Sequence, residues 1–183
     1  APTLPLSAEQ LRRAGLAADN MADRLVGELF WFWPESYPEN KPDEALADLA
    51  AGNAEAAYGR WLAAGGTGHA AHNMAVMFHY AALGRELERG PLDEEARSWW
   101  TAASEQWTAA LASDDFWARY AARWAQDGAA VVARVREALP QLLGLLSLYA
   151  AAERARRDEL AEARWLREFA VRRLADVAAL GHT

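Results

Sequence analysis

Between its clusters of glycine and proline, the chain carries apolar residues at helical spacing and little else. Leu46, Leu49 and Ala50 fall on one helix face. So do Leu142, Leu145, Leu146 and Tyr149, and again Leu166, Phe169, Ala170 and Leu174. No stretch shows the two-residue alternation and β-branched content of a strand. Such a chain buries its apolar faces by packing helix on helix, so the expected class is all-α.

The punctuation sets the elements. Ser7 with Gln10 three residues on makes a capping box for an N-terminal helix within residues 7–33. "WPESYPENKP" has three prolines and reads as an extended connector. Asp43 caps a short helix to about Ala51, Gly52-Asn53 breaks it, and a second helix runs to about Ala64. After the turn at Gly65, Gly66 and Gly68, a long helix covers His69 to Leu87 and ends at Gly90-Pro91. Another spans Leu92 to Leu111. Ser113 or Asp114 caps the next, and two helices are expected to flank Pro140. The last covers Asp158 to Leu180. The expectation is one α-helical domain over 1–183, with eight or nine helices. It comprises an N-terminal helix (7–33), a central region (43–112) and C-terminal helices (113–183).

Composition narrows the function. A net charge of -7 argues against a nucleic-acid surface, which needs a positive excess. Arg154, Arg156 and Arg157 cluster, but acidic residues surround them, as on a solvated helix face. The absence of cysteine excludes disulfides, thiolate metal sites and a cysteine nucleophile. No apolar run reaches the roughly 20 residues of a membrane span. The N-terminus lacks the order of a secretory signal, so a cytoplasmic protein is expected. The first residue, Ala1, suggests a processed chain or a fragment. Nine tryptophans, dispersed along the chain, suggest repeated use between helices.

Ala71-x2-Met74-Ala75-x2-Phe78 has the spacing that opens a tetratricopeptide repeat. Ala96-x3-Trp100-x2-Ala103 follows with the small, aromatic, small spacing of that repeat's second helix, and Ala57-x3-Trp61-x2-Ala64 precedes with the same trio. Region 43–112 therefore resembles two degenerate tetratricopeptide-type hairpins. That resemblance implies antiparallel helical hairpins stacked in a short superhelix, with flanking helices. Ala71 and Ala75 depart from the aromatic and glycine of the pattern. A third hairpin over 140–176 fits weakly, with Arg167 at the aromatic place. "DRLVGELFWFWP", "HNMAVMFHYAAL", "DDFWARYAARW" and "REALPQLL" are similar to helical regions that accompany J-domains in bacterial chaperone-associated proteins. The His-Pro-Asp tripeptide of a J-domain is absent. This likeness implies a companion region or a relative, with an Hsp70-type chaperone as partner.

"HAAHNMAVMFHY" holds three of the four histidines. On a straight helix, His69 and His79 stand about 15 Å apart, too far for one metal. His69 and His72 could supply two ligands, so a metal-binding or catalytic bundle centred on them is the alternative reading. The serines lack a nucleophile elbow, and no phosphate loop is present. The repeat resemblance implies a concave groove for a peptide or partner helix. Its lining would include His69, His72, Asn73, Val76, His79 and Tyr80, with Asn73 placed to hold a ligand's main chain. A structural hydrogen-bonding role for His72 or Asn73 stands equally beside this. A histidine cluster near the usual pKa of about 6.5 would favour acidic ligands as pH falls. The expected function is a non-enzymatic protein-protein interaction module, without cofactor, nucleic acid or membrane.

Overall fold

The computed structural model describes residues 27–35, 42–65, 68–90, 92–122 and 128–180. Every regular element among them is helical. The chain divides into two compact units, 1–31 and 32–183. Of the first, residues 27–29 are helical and Phe30 forms a turn. The capping box at Ser7 lies outside the described residues. The N-terminal helix, expected to run to about Trp31, ends after Leu29. Phe30 and Trp31 already bond back only three residues, to Gly27 and Glu28, and Phe32–Pro34 have no regular structure. Pro34 accounts for this, because a proline ring disfavours the helical conformation in the residue before it.

The second unit contains α1 (Glu44–Ala50), α2 (Ala54–Ala63), α3 (Gly68–Arg89), α4 (Glu94–Leu111), α5 (Asp114–Ala122), α6 (Gly128–Arg156) and α7 (Leu160–Leu180). Local chemistry starts most of them. Side chains of Asp43, Asn53 and Asp93 accept from Leu46, Ala56 and Ala96, and Ser113 Oγ accepts from Phe116 N. Each satisfies a helix donor that has no partner within the helix. At the end of α1, Gly52 takes a positive φ of 81°, Asn53 N bonds Asp48 O and Gly52 N bonds Leu49 O. The same closure ends α6 around Asp158, at φ 60°. Asp158 is not a glycine, but its short polar side chain tolerates the left-handed region.

One helix, α6, runs straight through Pro140, where two flanking helices were expected. Proline costs one backbone hydrogen bond and a local clash, about 3 kcal/mol in a helix interior. α6 is long and packs along much of α7, so the rest of the helix outweighs that loss.

Packing follows sequence order: α1 against α2, α3 against α4, and α6 against α7. Ala45, Ala57, Trp61, Ala70, Met74, Phe78 and Ala103 form one core cluster, with Phe32, Tyr58 and Trp99 packed on it. Tryptophans work mainly between helices. Trp99 stacks on Phe78 at 5.5 Å, and Trp117 Nε1 donates to Leu111 O. Trp31, by contrast, is exposed.

α3 is the central helix. From Gly68 to Val76 every residue is buried, so this half of α3 has no solvent face. At Gly68 the start of α5 comes close. A Cβ there would lie 2.6 Å from Ser113 Cβ and 2.7 Å from Phe116 Cβ, and nearer still to Ser113 Oγ. Only a residue without a side chain fits such a contact.

Candidate functional site

The segment Phe32–Glu35 crosses the buried half of α3 as a strap, fixed through its main chain. Trp33 N donates to Asn73 Oδ1 at 2.9 Å, and Asn73 Nδ2 donates to Trp33 O at 2.8 Å. An amide can do both at once because it carries a donor and an acceptor side by side. His69 Nε2 lies 2.6 Å from the same carbonyl. The carbonyl can only accept, so Nε2 carries the proton. Pro34 has no N–H that would need a partner. Glu35 N donates to Asp43 Oδ2 at 2.8 Å, and Arg119 Nη1 donates to Glu35 O at 2.7 Å. Two helices and one cap thus hold a segment that has no regular structure of its own.

The Trp33 side chain anchors the strap. Its indole lies nearly parallel to Phe116 and Tyr120, with centroids 5.3 and 5.5 Å away. Those two residues are one turn apart on α5. The His72 ring faces it at 4.1 Å and meets Trp107 edge-on at 5.5 Å. Stacked and edge-to-face geometries are the favourable ones for aromatic rings. At the other end Phe32 stacks on Trp61, centroids 6.0 Å apart.

The six residues expected to line a groove are therefore divided. His69, His72, Asn73 and Val76 are buried, three of them with no exposed surface at all. His69, His72 and Asn73 form the floor beneath the chain's own strap. His79 is half-buried against Trp100, ring centroids 4.8 Å apart. Tyr80 alone is exposed, and it contacts Phe32. The cause is the all-round burial of α3 from Gly68 to Val76: a helix half without a solvent face cannot give one side to a partner helix and the other to a groove. One signal in the sequence marks this. No Asp, Glu, Lys or Arg occurs between Arg60 and Arg85, and a helix apolar all round is a buried one. The strap itself carried no such mark.

A cleft of about 700 Å³ opens beside the strap, with Glu35, Asp43, Glu44, Arg60, Trp61 and His69 in its walls. Its arginine is engaged by acids of α1. Arg60 binds Asp48 at 2.6 Å and also Glu44. The hydrogen bond that Arg60 donates to Asp48 is the main cause that raises the Arg60 pKa above its ordinary value. Two other arginines, on α3 and α4, are also committed within the fold. Arg85 pairs with Asp93 and Glu95, and Arg97 sits over the Trp165 ring at 5.4 Å. Asp93 is held below its usual range, first by the Arg85 side chain and then by Ala96 N.

For the alternative centred on His69 and His72, the side chains point to other tasks. His69 is used on the Trp33 carbonyl, and His72 sits within an aromatic cluster. Among the described residues no three His, Asp or Glu side chains gather to hold a metal. The paired acids Glu94-Glu95 and Asp114-Asp115 lie in first helical turns, where Glu95 pairs with Arg85, Asp115 with Arg119 and Asp114 with Arg136. Among the described residues no helix is long and apolar enough to cross a membrane.

No family model matches the sequence, and no curated protein or solved structure matches it either.

Proposed function

We propose that this chain is a non-enzymatic helical module for protein-protein interaction, which holds an extended chain segment across α3. The observation that carries the reading is the two-bond grip of Asn73 on the Trp33 main chain. It is the chemistry of peptide recognition: the grip reads backbone, and an aromatic slot reads the side chain. The small and aromatic residues at repeat spacing support a tetratricopeptide-type stacking of α1 to α4. Ala57, Trp61, Ala71, Met74, Ala75, Phe78, Ala96 and Ala103 are all buried. An Hsp70-type chaperone is the partner that the likeness to J-domain companion regions suggests.

Calorimetric titration of the intact protein with a purified Hsp70-type chaperone tests the partner. Saturable heat supports the association, and its absence removes the chaperone from the reading. Elemental analysis tests the module itself against a metal-based function. Stoichiometric zinc or iron that disappears in His72→Ala would overturn the proposal.

A further inference from the structure

The strap has the features of a bound ligand that happens to be covalently attached. It has no regular structure of its own. Its main chain bonds to side chains of other elements: Asn73 and His69 on α3, Arg119 on α5, and the α1 cap Asp43. One planar side chain, Trp33, fills a slot made by His72, Phe116 and Tyr120. The boundary between the two compact units falls immediately before the strap, between Trp31 and Phe32.

We infer that the α3–α5 cradle is an exchange site, in which the Phe32–Glu35 segment of a second copy of this chain replaces the chain's own. This rests on the reading of the cradle as a holder of extended segments, and names the occupant. The second copy brings the segment whose fit to the cradle is already visible. Asn73 grips backbone atoms, and the slot accepts the same indole whichever copy supplies it. Reciprocal exchange therefore keeps every contact of the strap and leaves no buried polar group unpaired. Its balance depends on concentration and on the connection alone. Release starts from the exposed end, where the bonds of Glu35 to Asp43 and Arg119 face water. The buried Trp33 follows last, so exchange is slow in the folded protein and fast during refolding.

The test breaks the two halves of the site in separate copies. Trp33→Gly removes the anchor and leaves the cradle. Asn73→Ala removes the grip and leaves the anchor. The two full-length variants, one isotopically heavy, are unfolded together, refolded by dilution and weighed by native mass spectrometry. Dimers of one heavy and one light copy should exceed, severalfold, the dimers of either variant refolded alone, because only the mixed pair rebuilds a whole site. Mixed dimers no more abundant than those of the pure variants would overturn the inference. If either variant fails to refold, Trp33→p-benzoylphenylalanine serves in heavy and light copies of the otherwise unaltered chain. Photo-cross-links from position 33 to α3 or α5 of the opposite label support exchange. Cross-links confined to one copy at all concentrations sink it. Neither result depends on the chaperone titration, so the two ideas fail separately.

Discussion

Asn73 gives Trp33 both hydrogen bonds that a neighbouring strand would give, from one side chain on a helix. The N–H and C=O of Trp33 are 2.9 and 2.8 Å from the amide oxygen and nitrogen. Asn73→Ala takes that partner from the N–H and leaves the carbonyl the contact with His69. Each buried group so deprived costs about 1–3 kcal/mol, so a loss of about 2–4 kcal/mol is expected. Urea unfolding with an unchanged slope would read it directly. A midpoint equal to that of the unaltered protein would mean that the grip carries no weight.

Two glycines of α3 should answer alanine with opposite signs. Gly84 has nothing within 4 Å of the place a Cβ would take. Gly84→Ala should therefore stabilise by about 0.5–1 kcal/mol through helix propensity. Gly68→Ala drives a methyl into Ser113 and Phe116 and should destabilise by about 1–3 kcal/mol. Thermal midpoints of the two variants, moving in the same direction, would contradict the close approach of α5 to α3.

Glu86 joins three helices. It accepts from Trp100 Nε1 of α4 at 2.9 Å and lies 3.7 Å from Arg154 of α6. The hydrogen bond with Glu159, more than this contact, raises the Arg154 pKa. Glu86→Gln keeps an acceptor for Trp100 and loses only a long ion pair, so its cost should stay under about 1 kcal/mol. Glu86→Ala also strands the indole N–H and should cost about 1–2 kcal/mol more. Equal effects of the two substitutions on the unfolding midpoint would show that the indole bond is immaterial.

Acid should weaken the start of α4. The carboxylate of Asp93 is favoured in the folded state, so its folded pKa lies below the unfolded value of about 3.9. Its stabilisation is complete above that value and disappears as pH falls through the folded pKa. Asp93→Asn keeps a capping oxygen without the charge. The gap in thermal midpoint between the two proteins should hold constant above about pH 5 and close in stronger acid. A gap that persists unchanged throughout acid titration would count against the Arg85 contact.

Much of the helix layout was legible because it is written in neighbouring residues. Asp43, Asn53 and Ser113 each cap a donor three residues away, and Gly52 ends α1 within one turn. Pro140 misled the same reasoning, since a breaker counts only the local cost and is blind to a long helix packed on α7. The burial of α3 on every side from Gly68 to Val76 escaped it for a related cause. Periodicity tells which residues share a face, but the number of faces a fold covers depends on its neighbours. Here the run without charge from Arg60 to Arg85 held the missing hint.

By itself the sequence determined the all-α class, most helix starts and stops, and the small residues that let helices approach. These are decided by hydrogen bonds and sterics within a few residues. Only the tertiary structure decided what Asn73 and His69 hold. Trp33 stands 40 residues before Asn73, and an amide gripping backbone atoms selects no side-chain pattern that a sequence could display.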